Sequence, residues 1–175
     1  MGIKEASSGY KQKTNGLKVT ALMLLFSVGH LFAQLPPAKV IPDFTFYDLK
    51  DQPFSQNQIT KNSKILFLFF DATCTHCQYE TQLIGTHYKE FKNTAFYLVS
   101  MDVKPQIQKF MHTYGKQLEG KSNVTVLADV NRQFIQKFTP SQFPALYIYN
   151  KDKKLLKYWD TPVSIDQVLS VIYQP

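Results

Sequence analysis

Ile65-Leu66-Phe67-Leu68-Phe69-Phe70-Asp71-Ala72-Thr73-Cys74-Thr75-His76-Cys77-Gln78 joins an unbroken apolar run to two cysteines set two residues apart, the only cysteines in the 175-residue chain. A short apolar run bounded by polar residues is the pattern of a strand covered on both faces. Beyond Cys74 the apolar residues Cys77, Leu83, Ile84, Tyr88 and Phe91 fall near helical spacing. Strand, Cys-x-x-Cys and helix in that order form a redox signature. The first turn of a helix presents unpaired amides and a partial positive charge. Both favour a thiolate, the reactive form of cysteine.

Residues 1–33 read differently from the rest. Lys4, Lys11, Lys13 and Lys18 make their start basic, Val19 to Phe32 is almost wholly apolar, and Ala33 follows. That order describes a secretory signal peptide. A retained, uncleaved anchor is the rival, but the run is shorter than the ~20 residues a span requires, and Gly29-His30 interrupts it. Cleavage after Ala33 and cleavage after Gly29 both stay open. The expected location is therefore periplasmic or otherwise extracytoplasmic.

Export changes how charge and cysteines are read. Of the net +7, the four lysines and Glu5 of this segment account for +3, leaving +4 on the remainder. Those remaining lysines are scattered, and Lys151-Asp152-Lys153-Lys154 sits between two strand-like runs as a solvated turn. Nucleic-acid binding needs a basic stripe on a recognisable module, so no nucleic acid is expected. Hydrophobic residues make up 44% of the chain, enough for one core. Outside the cytosol disulfides persist. A loop closed across two residues gains little stability from its bridge, so the pair reads as a working redox centre.

Residues 34–43 are proline-rich and read as an extended lead-in to a domain over 44–175. Phe44-Thr45-Phe46-Tyr47 is a strand, Asp51-Gln52-Pro53 a turn, and Phe54-Ser55-Gln56 a short returning strand. Lys64 to Phe70 and Ala95 to Ser100 are buried strands. Pro105 opens a helix bearing Ile107, Phe110, Met111 and Tyr114. Asn123 to Leu127 is a strand, and Asp129 caps a short helix holding Phe134, Ile135 and Phe138. Ala145 to Tyr149 and Leu155 to Trp159 make an antiparallel hairpin. Ser164 and Gln167 form a capping box for a last helix with Ile165, Val168, Leu169 and Ile172 on its apolar face. The alternation predicts an α/β fold: a central mixed β-sheet flanked by helices on both faces, with an N-terminal β-hairpin extension.

Four features carry a family likeness: Pro42-Asp43-Phe44, the block Leu68 to Cys77, Glu80 three residues after the second cysteine, and Phe143-Pro144 before the strand at Ala145. On these the chain resembles the thioredoxin-like superfamily, and within it the secreted TlpA- and ResA-like thiol–disulfide oxidoreductases, from about Ile41 to the C-terminus. The resemblance implies a thioredoxin-like fold, with Cys74 as the exposed nucleophile and Cys77 as the resolving thiol. It also implies a cis Pro144 facing the dithiol. Pro144 read alone equally starts an edge strand, and Pro140 stands too far from the strand to compete. Thr75, Phe143 and Pro144 are the expected partner-contacting residues. No cofactor is implied beyond the redox-active Cys74–Cys77 disulfide, and no metal. The implied partners are cysteine-containing exported proteins and a membrane or periplasmic redox partner.

His76 lies between the cysteines, where an imidazolium or ring N–H favours the Cys74 thiolate; elsewhere a lone histidine is usually a solvated side chain. Lowering a thiol pKa from ~8.5 into the range ~3.5–7 corresponds to roughly 2–7 kcal/mol of thiolate stabilisation. The Thr75-His76 spacer resembles the Pro-His spacer of DsbA-type oxidants, whereas the scaffold resembles reducing members. Three positions depart from the family pattern. Leu68 replaces a buried acid six residues before Cys74, leaving Glu80 as the candidate proton carrier or else an ordinary first-turn glutamate. Thr73 replaces the usual tryptophan, and Phe143 a smaller residue before the proline.

Two other functions share this scaffold. Two thiolates and a histidine suit Cu(I), with His87 or His112 as third ligand, although the Sco-type copper chaperones space their cysteines by three. A peroxiredoxin-like peroxidase would want threonine where Asp71 stands. Gln78 after Cys77 rules out haem attachment, and a structural zinc site lacks two further ligands.

Overall fold

A computed structural model of the chain describes residues 35–174 together with Gly2. The signal peptide expected over residues 1–33 lies outside the described domain. The elements in order are β1 (Thr45–Asp48), β2 (Pro53–Ser55), β3 (Lys64–Phe70), α1 (Thr75–Thr86), β4 (Thr94–Ser100), α2 (Lys104–Tyr114), β5 (Val124–Ala128), α3 (Gln133–Phe138), β6 (Ala145–Tyr149), β7 (Leu155–Trp159) and α4 (Ile165–Ile172). Among the described residues no helix is long and apolar enough to cross a membrane.

The strands form one seven-stranded sheet in the order β2-β1-β5-β4-β3-β6-β7. β3, β4 and β5 run parallel, while β1, β2, β6 and β7 join by antiparallel pairing. Because strand side chains alternate between faces, the all-apolar β3 feeds two cores. Leu66, Leu68 and Phe70 enter one, and Ile65, Phe67 and Phe69 enter the other. α1, α2 and α4 cover the first face through Cys77, Ile84, Ile107, Phe110, Met111, Val168 and Leu169. The second face is closed by α3 and by the N-terminal hairpin with its lead-in, through Phe134, Phe138, Phe44, Phe46 and Ile41. Helices on both faces are thus observed, but three stand on one side and a single short one on the other.

Local chemistry explains the boundaries. Asp129, which lies fully inside, accepts hydrogen bonds from the Gln133 amide at 2.9 Å and the Phe134 amide at 2.7 Å, so it caps α3 from three residues upstream of the left-handed Arg132. Ser164 and Gln167 form the expected capping box at α4. The short helix holds Phe134, Ile135 and Phe138 as expected; Ile135 is 45% exposed, because Phe134 and Phe138, four apart, take the sheet-facing side of a helix too short for a third inward residue. One sequence expectation needs correction: α1 stops at Thr86. His87 leaves helical geometry (φ −96°, ψ 10°), and a 3-10 turn over Tyr88–Glu90 carries the chain on to the buried Phe91.

The lower end of the sheet is sewn shut. Ile41 N donates to Lys153 O at 3.0 Å, Leu155 N donates to Lys39 O at 2.8 Å, and Val40 bridges to Lys154. The lead-in is therefore tied to the β6–β7 turn. At the same end the Lys64 ammonium donates to the carbonyls of Ile172 at 2.7 Å and Val171 at 3.3 Å, capping the C-terminal end of α4.

Phe67 stands at the centre of the second core, with ring centroids of Phe44, Tyr97, Phe134, Phe138 and Tyr149 between 5.1 and 6.1 Å away. Phe67→Ala is expected to lower the unfolding free energy by about 3–5 kcal/mol. The check is urea denaturation, as a lower midpoint at unchanged slope.

Candidate active site

β3 delivers the chain to the upper end of the sheet at Phe70, and the next residues are held by two carboxylates. Asp71 accepts from the Thr73 amide at 2.7 Å and from the Thr73 hydroxyl at 2.6 Å. Asp102 accepts from the Ala72 amide at 2.7 Å and from the Ser100 hydroxyl at 2.8 Å. The Cys74 amide in turn donates to the Asp71 carbonyl at 3.2 Å. Sequence reasoning did not single out Asp102. Its position just beyond the end of β4, the parallel neighbour of β3, was the available signal, since loops at the carboxyl ends of parallel strands converge.

Cys74 occupies the N-cap of α1, half-buried, and its sulfur accepts from the Cys77 amide at 3.3 Å. One orphan amide of the helix start is thereby spent on that sulfur, and the helix dipole favours negative charge there. Cys77 is fully buried one turn further on, and the two sulfurs are unbridged. Burial, and then the hydrogen bond with Cys74, push the Cys77 thiol well above its ordinary range.

Glu80 follows Cys77 by three residues and shares its inward side of α1. It is 1% exposed, and among the described residues neither carboxylate oxygen has a hydrogen-bond partner; the hydroxyl of its buried neighbour Thr81 is also unpartnered there. Burial raises the carboxyl from 4.5 to about 7. The Val163 backbone amide pulls in the opposite direction, too weakly to make a hydrogen bond. A carboxyl held near neutrality can both give and take a proton.

The remaining expected residues fall as follows. The Phe143–Pro144 bond is cis. β6 pairs with β3 so that Ala145 lies opposite Phe69, which sets Pro144 opposite Phe70 at the dithiol end of the sheet. Phe143 is half-buried, with its ring 4.7 Å from that of Phe69, and it lines a hollow of about 180 Å³ together with Asp71, Asp102 and Arg132. Thr75 and His76 are exposed on the first turn of α1. Among the described residues His76 makes no hydrogen bond or ion pair, and no three His, Cys, Asp or Glu side chains group as a metal site. His87 bonds to Glu90 at 2.6 Å, and His112 stands 3.7 Å from Glu119.

A mixed sheet of this order, with a Cys-x-x-Cys at the start of α1 and a cis proline across from it, is a thioredoxin-like fold. Solved structures agree. MTB dsbF superposes with a TM-score of 0.63 at 20% identity, over 79% of this chain and 97% of that one. A peroxiredoxin-like protein from Aquifex aeolicus gives 0.62 at 16% identity, over 79% and 86%. The chain belongs to the AhpC/TSA family, whose profile matches residues 37–158. The thiol-disulfide oxidoreductase ResA of Bacillus subtilis (strain 168) is 24% identical over 119 residues, 66% of this chain. The match spans 63% of that relative's length.

Because the folded state holds the Glu80 proton up to about pH 7 while an unfolded glutamate releases it near 4.5, stability falls as pH rises through that interval. The loss amounts to about 3 kcal/mol. Glu80→Gln, which cannot titrate, is expected to lack it. Urea denaturation of both proteins at pH 5 and pH 8 checks this: the variant should gain on the wild type by about 2–3 kcal/mol between the two. A constant difference would remove Glu80 as the titrating group.

Proposed function

We propose that the protein is an exported thiol–disulfide oxidoreductase that exchanges disulfides with partner proteins through Cys74 and Cys77. The observation that carries this reading is the half-buried Cys74 sulfur at the start of α1, receiving the Cys77 amide, with Cys77 buried behind it. When the dithiol reduces, the Cys74 thiolate attacks a partner disulfide, forming a mixed disulfide and releasing one partner sulfur as thiolate. Cys77 then attacks Cys74, closing the Cys74–Cys77 bond and releasing the second. The partner gains two electrons, which the dithiol loses, and the two protons follow. When it oxidises, the same steps run backwards.

Glu80 is the proton carrier for Cys77 in this scheme. A thiol raised by burial needs a base close to neutrality before it can attack, and Glu80 titrates near 7 on the same side of the helix. Pro144 and Phe143 form the wall against which a partner's backbone lies, with Thr75 on the opposite rim. The redox partner in the cell is a periplasmic or membrane protein, and the leader-like residues 1–33 support that location. The Thr75-His76 spacer supports a disulfide more oxidising than that of thioredoxin. The dithiol is the entire redox machinery of this reading, with no metal and no small cofactor. The copper and peroxidase alternatives have less behind them: His87 and His112 are engaged with glutamates elsewhere, and Asp71 is committed to holding the Thr73 turn.

Exchange with a dithiol or disulfide protein should vanish in Cys74→Ser. Cys77→Ser should instead accumulate a mixed disulfide, visible by non-reducing electrophoresis and mass spectrometry. Retained exchange in Cys74→Ser would sink the reading. A redox titration giving a potential at or below the about −270 mV of thioredoxin would reverse the oxidising assignment alone.

A further inference from the structure

A cavity of about 390 Å³ opens beside the dithiol loop, between α1 and α2. Thr73 of the loop and Gln78 of α1 form one side, and Lys109, Phe110, Thr113 and Tyr114 of α2 the other. It is separate from the hollow at Phe143 on the other flank of the loop. Its inner wall is aromatic: Phe110 is buried, stacked on Phe70 at 4.3 Å, and 5.4 Å from the ring of Tyr114. Lys109 supplies the one formal charge in the lining. α2 carries Lys104, Lys109 and His112 and no carboxylate. Lys104 is engaged by Asp51 and His112 by Glu119, whereas Lys109 makes no ion pair among the described residues.

We propose that this cavity selects the protein partner of the dithiol, by receiving an aromatic side chain next to the partner's reactive cysteine while Lys109 meets a carboxylate on the same extended segment. The proposal rests on the oxidoreductase reading and adds a specificity site to it. Three physical facts support the occupant. Cavities of ~300 to 1,000 Å³ with apolar walls and a few polar groups are the usual size and lining of binding sites, so this one holds a single large side chain with the backbone that bears it. A partner ring completes the Phe70–Phe110–Tyr114 series by stacking or edge contact. The unpaired ammonium on a helix without acids draws a negative segment and repels a positive one. Because Thr73 directly precedes Cys74, a residue seated there is one step from the sulfur under attack.

The test uses the full chain and four oxidised substrates: hydroxyethyl disulfide, and three peptides in which a disulfide-bonded cysteine is flanked by Phe and Glu, by Phe and Lys, or by Gly and Ser. The Phe/Glu peptide is expected to react about tenfold faster than the Gly/Ser peptide and about threefold faster than the Phe/Lys peptide. Lys109→Glu should invert the Glu-over-Lys preference. Thr113→Trp, at an exposed position on the cavity wall, should fill the space and cancel the preference for Phe. Equal rates for the three peptides, or preferences that neither variant alters, overturn the proposal and leave the dithiol chemistry standing, provided hydroxyethyl disulfide is reduced. No reaction with any of the four overturns the oxidoreductase reading, and this proposal with it.

Discussion

Strand β3 has a hydrogen-bonded neighbour along each edge and an apolar cluster against each face. Its neighbours β4 and β6 are likewise paired on both edges and buried on both faces, and β3 lies between them. Its seven residues include one lysine at the lower end and six apolar side chains above it. Each apolar residue finds a core whichever way the pleat turns it, so burial alone stabilises the strand, while pairing on both edges fixes its height relative to β4 and β6. That height is what the chemistry depends on. Asp102, just past the end of β4, and Pro144, just before β6, meet the loop that leaves β3 because all three strands are locked in register at the centre.

The site draws on unfavourable energy stored a short way inside. Cys77 and Glu80 are both buried ionisable groups on one helix, and burial pushes both towards their protonated forms. Neither would be placed there for stability, since an unpartnered buried carboxyl costs free energy whenever it is charged. Such a cost persists where it serves a task, and proton movement between a reluctant thiol and a near-neutral carboxyl is a task that fits it. Cys74 sits in the opposite environment, at the helix start with an amide on its sulfur. Two sulfurs of one dithiol are thereby given different surroundings by a single turn of helix, one half-buried and reached by an amide, the other fully buried.

Much of this arrangement was legible from residues alone. β3, the hairpin of β6 and β7, the Ser164 cap and the position of Cys74 before a helix follow from period, turn residues and capping chemistry. The cis state of Pro144 was legible only through family likeness, because the residues themselves allow an ordinary strand start. Three things stayed hidden, each for a reason. The burial of Glu80 sets it beside the backbone of Val163, a contact between distant parts of the chain. Asp102 becomes a loop anchor only once β3 and β4 lie parallel. The cavity at Phe110 arises where two helices fail to close on each other beside the small Thr73, and no local pattern encodes such a gap. The length of α1 shows the reverse error: Tyr88 and Phe91 fall near helical spacing, yet the helix ends at Thr86 and a 3-10 turn leads on to Phe91.

The stitching of residues 39–41 to the β6–β7 turn also orients the molecule for handling. That turn lies at the end of β6 away from Pro144, so residues 39–41 are held at one end of the sheet and the dithiol loop lies at the other. A bead, a surface or a fluorescent reporter attached ahead of residue 35 pulls first on the bond from the Thr139 hydroxyl to the Pro36 carbonyl and on the bond from the Ala38 amide to the Phe138 carbonyl. A tug on the tether therefore loads the end of α3, and then the β6–β7 turn, before it reaches the cysteines.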